Sequence, residues 1–189
     1  SSGRVGETIP VSVFGFAVNK RVAIYFDSAR KATLVTDGTG TASGSIRLTA
    51  AAAGLHEIRA TGGGLSISKK FRIRPVLTLS VTIVQAGKPV IVTLTGFAAS
   101  VKVKIRLYDI DGSSTLLSLW TPTTDATGGS SNSFTTKSTI PPGEHKLVAT
   151  DSAGNSTSAY LTTTAARPKP PKPDNSSVSQ VYTRGTSGR

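Results

Sequence analysis

The chain repeats itself, and a repeat fixes the architecture before any single strand or helix is assigned. Gly6-Glu7-Thr8-Ile9-Pro10-Val11-Ser12-Val13-Phe14-Gly15-Phe16-Ala17 aligns with Gly87-Lys88-Pro89-Val90-Ile91-Val92-Thr93-Leu94-Thr95-Gly96-Phe97-Ala98 at an offset of 81. At the same offset Val22, Ile24 and Phe26 meet Val103, Ile105 and Leu107, so the apolar alternation stays in phase. Further on, Thr36-Asp37-Gly38-Thr39-Gly40 answers Thr124-Asp125-Ala126-Thr127-Gly128 at 88. Gly54-Leu55-His56-Glu57-Ile58-Arg59-Ala60-Thr61 answers Gly143-Glu144-His145-Lys146-Leu147-Val148-Ala149-Thr150 at 89. An insertion of about seven residues around Asp109 to Leu119 accounts for the drift. Half of a 189-residue chain is long enough to bury a workable core.

Within each copy the apolar period is two, in short runs such as Val11 to Phe14, Val22 to Phe26, Ser43 to Leu48 and His56 to Ala60. Helical three-and-four spacing never persists, and Val, Ile and Thr are abundant, so the runs read as strands. Turn signals between them point to antiparallel sandwiches. Asp37 to Gly40 and Asp125 to Gly128 read as hairpin turns, with Asp bonding back to its own backbone and Gly supplying positive φ. Val, Leu, Ile and Phe make up just under a quarter of the residues, enough to fold. The absence of cysteine excludes disulfides, thiolate metal sites and cysteine nucleophiles. No apolar run approaches the roughly 18 to 20 residues that cross a bilayer. Residue 1 opens no charged-then-apolar leader, so an exported chain would already be processed.

The order G-x-x-V-x-V-x-x-x-G-F-A, then T-D-x-x-G, then P-P-G-x-H-x-L-x-A-T-D-x-x-G-N resembles the tandem Ig-like modules of bacterial cell-surface and secreted proteins. The resemblance covers about residues 6 to 74 and 76 to 164. It implies an all-β chain of two tandem immunoglobulin-like β-sandwiches, each seven-stranded, used as a stalk, spacer or adhesive unit outside the cell and without catalysis. The first copy departs from it, lacking Pro-Pro before Gly54 and carrying Gly62-Gly63-Gly64 where the second has Asp151-Ser152-Ala153-Gly154-Asn155. The implied division is 1–75, 76–166, and a Pro/Lys spacer with a strand-forming tail over 167–189.

The second copy opens with Val76-Leu77-Thr78-Leu79-Ser80-Val81-Thr82-Ile83, read as one strand with Leu77, Leu79, Val81 and Ile83 on a shared face. At the offset of 81 its counterpart in the first copy would end by residue 2, so the first sandwich lacks its first strand. Beyond Arg167-Pro168-Lys169-Pro170-Pro171-Lys172-Pro173, a stiff extended spacer, the segment Asn175 to Arg184 has β-forming content but too little apolar area to fold alone. Val178, Gln180, Val181 and Tyr182 are therefore candidates for a donor strand that completes the first sandwich of the next molecule, giving a head-to-tail homopolymer. Val178 and Val181, three apart, fall on opposite faces, a poor match to clean alternation. The competing reading is a piece of a longer protein, with the strand supplied by a preceding segment and the tail a linker.

Little in the sequence carries chemistry. His56 and His145 occupy equivalent places in the two copies and read as packed rings covering a sandwich end. No Ser/His/Asp set can be assembled within one copy, and an enzyme is not expected. Asp109-Ile110-Asp111-Gly112 starts like a calcium loop but lacks the closing acid. No metal or cofactor is expected. Gly62-Gly63-Gly64 precedes a strand and reads as a turn, Trp120 as core, and Asn155 and Asn175 match the glycan acceptor pattern.

Formal charge is +12, of which +7 falls on residues 1–75, +1 on 76–166 and +4 on 167–189. Alternation sends Lys70, Arg72 and Arg74 outward beside Phe71 and Ile73, and Lys102, Lys104 and Arg106 outward beside Val103, Ile105 and Leu107. Such rows either guard strands against aggregation or hold an anionic glycan or cell-wall polymer. Nucleic acid is disfavoured, because Tyr25 is the one aromatic expected beside the first row.

Overall fold

In the computed structural model residues 1–110 and 116–166 are described. Among them the regular structure is entirely β: β1 Ser2–Gly3, β2 Thr8–Val13, β3 Arg21–Phe26, β4 Ala29–Val35, β5 Ala42–Arg47, β6 Gly54–Gly62, β7 Leu65–Ile73, β8 Val76–Leu79, β9 Ile83–Gln85, β10 Pro89–Thr95, β11 Val103–Asp109, β12 Leu116–Trp120, β13 Ser130–Thr135, β14 Gly143–Asp151 and β15 Ser156–Thr164. The period-two runs thus become strands. Val22, Ile24 and Phe26 are buried while Arg21, Ala23 and Tyr25 are less so, as a pleat with one dry face requires.

Four sheets form. Two are five-stranded and mixed, in the orders β1-β7-β6-β3-β4 and β12-β11-β14-β15-β9. The others are the pair β2-β5 and the triplet β13-β10-β8. Val13 and Ile46 from β2 and β5 pack with Val22, Ile24, Phe71 and Ile73 of the first large sheet. Val90, Val92, Leu94 and Phe134 do the same with Ile105, Leu107 and Leu147 of the second. Each copy is therefore sandwich-like, a large sheet facing a small one, and the two small sheets differ by one strand.

The opening of the second copy is not one strand. Its chain leaves the small sheet at Ser80, whose N–H donates to Ile91 O at 2.9 Å. It reaches the large sheet at Thr82, whose carbonyl accepts from Thr162 N–H at 2.8 Å. Crossing between layers breaks the alternation: Leu77 and Val84 are buried, whereas Val81 and Ile83 are exposed. Nor is the first copy wholly without this element. Ser2 and Gly3 pair parallel with Arg72 and Ile73, just as Ile83 and Val84 pair with Thr162 and Thr163. Among the described residues only the β8 half has no counterpart.

The turns at Asp37 and Asp125 are also not hairpins, because β4 pairs with β3 and β5 with β2. They carry the chain from one sheet to the other, and Asp37 Oδ1 accepts from Thr39 N–H, Thr39 Oγ1 and Thr41 N–H. Their position is set by the other repeated motif. Phe16 N–H donates to Gly40 O and Phe97 N–H to Gly128 O, at 3.2 and 3.1 Å. Thr36 Oγ1 donates to Ala17 O and Thr124 Oγ1 to Ala98 O, at 2.6 and 2.7 Å. Gly40 and Gly128 have φ of 76° and 73°, and a Cβ on either would lie 2.2 or 1.9 Å from the Phe16 or Phe97 carbonyl oxygen. Gly-Phe-Ala and Thr-Asp-x-x-Gly are two halves of one lock, present twice.

Candidate functional site at an open sheet edge

In the second copy β10 is flanked on both sides, by β13 and by β8. In the first, β2 pairs with β5 alone among the described residues. At the offset of 81, the residues Val92, Thr93, Leu94 and Thr95 that pair with Leu79, Thr78, Leu77 and Val76 correspond to Val11, Ser12, Val13 and Phe14. Beside those residues runs a groove of about 660 Å³ whose lining includes Ile9, Val11, Phe14, Ile58, Ile67 and Phe71. Burial records what β8 contributes: Val90 and Val92 are each 1% exposed, whereas their counterparts Ile9 and Val11 are only half-buried. Phe14 is 66% exposed and Ile67 49%.

The direction of the backbone groups follows from the second copy. Ile91 accepts at its carbonyl from Ser80 N–H and donates its own N–H to Ser80 Oγ, so its polar groups face β8. Alternate residues of an antiparallel strand face the same way, which aims the polar groups of Pro10, Ser12 and Phe14 at the open side of β2. Pro10 stands where Ile91 does and forfeits only the bond that Ile91 makes to a side chain. The sequence offset expects a whole strand to be lacking where the structure lacks only a β8 counterpart among the described residues, and it does not show the groove, lined mainly from β2, β6 and β7.

The two histidines sit at the far side of the pattern, each near an acid that the sequence reading overlooked. His56 Nδ1 lies 2.7 Å from Asp27 Oδ2, its Nε2 lies 2.9 Å from Ala52 O, and its ring stacks on Phe26 at 4.9 Å. Burial pushes the Asp27 carboxyl up, but the Glu57 amide, the His56 hydrogen bond and charge, and Lys70 outweigh it and hold the group below its ordinary value. His145 is buried, with Nε2 2.9 Å from both Pro141 O and Thr163 Oγ1 and Nδ1 3.6 Å from Asp109 Oδ1. Asp27 and Asp109 each follow or end the strand that starts on the shared apolar run, one residue out of the offset of 81, and that shift hid the pairing. His56 and Asp27 form a hydrogen-bonded pair, whereas His145 is hydrogen-bonded through Nε2 to Pro141 and Thr163 and its Nδ1 faces Asp109 beyond hydrogen-bond distance. Among the described residues no three His, Cys, Asp or Glu side chains gather as a metal site.

Lys70 and Arg72 project from β7 opposite Glu57 and Leu55, with Phe71 buried between them and Ile73 buried beyond Arg72. Arg74 is exposed and its guanidinium bonds Ser2 Oγ. Tyr25 belongs instead to Arg59, whose guanidinium lies 4.6 Å above its ring. Lys104 is exposed and Arg106 half-buried on β11, and Lys102 bridges Thr123. Trp120 packs against the second core, stacked on Phe134 at 5.1 Å. Asn155 is engaged with Asp151, its side-chain N–H donating at 2.8 Å. Val178, Gln180, Val181 and Tyr182 lie outside the described residues, as do the spacer and tail and Asp111-Gly112.

No family model matches the chain and no curated protein does. Solved structures similar to it include the adhesin InvE of Yersinia pseudotuberculosis, at 13% identity and TM-score 0.38, covering 87% of this chain and 56% of that one. Dimeric latent PorU of Porphyromonas gingivalis gives 15%, 0.39, 87% and 19%. The chain spans less than two thirds of either, and likeness at this level carries no functional reading.

Proposed function

We propose that this chain is a non-catalytic structural subunit of an extracellular bacterial stalk or filament. Its parts are two tandem Ig-like sandwiches over 1–75 and 76–166, and a tail over 167–189 that acts as a donor strand. The observation that carries the reading is the edge of β2, which among the described residues no strand flanks, above an apolar groove, where the second copy has β8. Main-chain hydrogen bonds and apolar burial from Val178, Gln180, Val181 and Tyr182 of one molecule would close the first sandwich of the next. No reactive side chain is needed for that work.

Electron microscopy and sedimentation of the chain with and without residues 174–189 test it. Fibres or concentration-dependent growth that vanish with the tail are expected; identical particle size for both forms at high concentration ends the proposal. Exposed Lys70, Arg72, Lys102 and Lys104 support a second reading, an anionic glycan or cell-wall polymer held on the outer faces. Salt separates the two, because polyanion binding weakens steeply with ionic strength and strand donation does not.

A further inference from the structure

We infer that the cleft between the two copies binds a phosphate monoester, the charged head of a phosphorylated sugar, between three arginines of the first copy and the Asp-x-x-Gly-Asn turn of the second. The inference does not depend on strand donation. It rests on the premise of the polyanion reading, that cations without acidic partners serve a ligand, and narrows that reading to one place and one chemistry.

Two walls meet at the joint. Arg4, Arg72 and Arg74 line one side of a cleft of about 300 Å³, and Asn155, Ser156 and Thr157 line the other. Period two puts Arg72, and Arg74 just past the end of β7, on the outer face, since Phe71 and Ile73 are buried. β1 runs parallel to β7 with Ser2 opposite Arg72 and Gly3 opposite Ile73, so the next step brings Arg4 beside Arg74. Arg74 N–H donates to Gly3 O at 2.9 Å and its guanidinium bonds Ser2 Oγ, which fixes that corner.

The second wall is a turn that the first copy lacks. Asp151 Oδ2 accepts from Ala98 N–H at 2.9 Å and from the Asn155 side chain at 2.8 Å, while Oδ1 accepts from the Ala153 and Asn155 N–H groups. The loop that anchors Asp151 also reaches the first wall. A Cβ on Gly96 would lie 2.8 Å from the Arg74 carbonyl oxygen, and Phe97 O accepts from Ala53 N–H at 2.7 Å. Gly15, the counterpart of Gly96, faces open space. One Gly-Phe-Ala loop thus ties both walls together, and a cleft set before its ligand arrives binds at lower cost.

Charge selects the occupant. Among the described residues no carboxylate pairs with Arg4, Arg72 or Arg74. Glu7, three residues on from Arg4, takes the Arg4 N–H at 2.9 Å and lines the β2 groove instead. Both oxygens of Asp151 are already taken. A carboxylate or a sulfate ester brings one negative charge, whereas a phosphate monoester brings about 1.5 to 2 at neutral pH and three acceptor oxygens, the better match to three guanidinium forks. Asn155 keeps one amide hydrogen after bonding Asp151, and Thr157 adds a hydroxyl, polar groups suited to the sugar that carries the phosphate. The volume is at the lower bound of ligand pockets, room for one such unit.

Amide NMR titrations of the full chain at fixed ionic strength test the inference with glucose 6-phosphate, glucose 6-sulfate and glucuronate. Glucose 6-phosphate is expected to shift the amides of Arg72, Arg74 and Asn155 to Thr157, and to bind at least about tenfold tighter than the other two. Arg72→Gln with Arg74→Gln should weaken it at least about tenfold. Lys20→Gln with Arg21→Gln removes the same charge from the opposite end of the first copy and should change the affinity less than about twofold, because that end lies beyond the screening length. Equal affinity for the three anions, an equal loss in both variants, or no shift in the cleft at about 10 mM glucose 6-phosphate overturns the inference. Heparin separates it from the polyanion reading. Salt-dependent heparin binding that Arg72→Gln with Arg74→Gln leaves unchanged, alongside no cleft shift, ends the cleft and leaves the outer faces; selective glucose 6-phosphate binding without heparin binding does the reverse.

Discussion

The two halves of this chain carry the same lock and differ in the same sheet. Phe16 with Gly40 and Phe97 with Gly128 make matching backbone bonds, and Thr36 and Thr124 tie the same loops. Yet β10 has a neighbour on each side and β2 has one among the described residues. The difference teaches that turn chemistry suffices to place the two sheets, while sealing the core depends on one further strand. Packing adapts locally as well: Val84 and Leu161 in the second copy are answered by Gly3 and Phe71, and a Cβ on Gly3 would lie 2.8 Å from the Phe71 ring. The larger ring fills the space left by the absent side chain.

The harshest way to break the comparison is to make the second copy resemble the first. Leu77→Ala with Leu79→Ala removes one buried and one half-buried side chain, and should cost about 4 kcal/mol. The part of the denaturant transition reported by Trp120 fluorescence, which belongs to that core, should shift accordingly. A loss below about 1 kcal/mol would mean that β8 is not what seals it. The same substitution at equivalent positions sharpens the point. Val92→Ala should cost about 2–3 kcal/mol and Val11→Ala about 1, because only Val92 is fully out of water. Equal costs would show that the groove is closed in solution. At the lock the copies should behave alike. Thr36 Oγ1 accepts from Lys20 N–H at 2.9 Å and Thr124 Oγ1 from Val101 N–H at 3.0 Å, besides the bonds they donate. Thr→Val at either should cost about 1–2 kcal/mol by chemical denaturation, and a clear inequality would break the equivalence of the two locks.

Local signals made most of the fold legible. Alternation in Val22-Ala23-Ile24-Tyr25-Phe26 named a strand, and Gly63-Gly64, with φ of 57° and 81°, closes the β6–β7 hairpin as a two-residue turn needs. What failed was partnership. Asp37 and Asp125 were correctly read as turns but wrongly as hairpins, because the residues that dock them, Phe16 and Phe97, are remote in sequence. The opening strand was read as continuous because Leu77, Leu79, Val81 and Ile83 keep period two straight through the point where the chain changes layers. Alternation reports that a residue is in a strand and is silent on which sheet receives it. The candidate site was half legible: the offset marks β2 as the counterpart of β10, but the apolar walls come from β6 and β7, whose Ile58 and Ile67 look like ordinary strand positions.

Acid gives the smallest and most selective probe. Asp37 and Asp125 are held below the ordinary carboxylate value of 3.8 by the Thr39 and Thr127 hydroxyls and nearby amides. Asp151 has no such twin, since Gly62 stands in its place at the offset of 89. Burial pushes the Asp151 carboxyl up, but N–H groups of Ala98, Asn155 and Ala153 and the Asn155 side chain bring it down overall. A carboxylate depressed on folding contributes stability that is present above its unfolded value and is lost as pH falls through the lower folded one. The contribution of these carboxylates should therefore be fully present above about pH 5 and be lost below about 4 in both copies. Asp151→Asn keeps the shape but sets an amide N–H against donors, and should lower the melting temperature of the second copy at pH 7 by about 4–8 °C, the equivalent of about 1 kcal/mol. The gap between variant and parent should narrow as pH drops below 3.8 and close only below the lower folded value, where the parent's carboxyl is itself neutral. A gap that stays constant with pH would mean that the Asp151 charge contributes nothing, and that the second copy owes its Asp-x-x-Gly-Asn turn to shape alone.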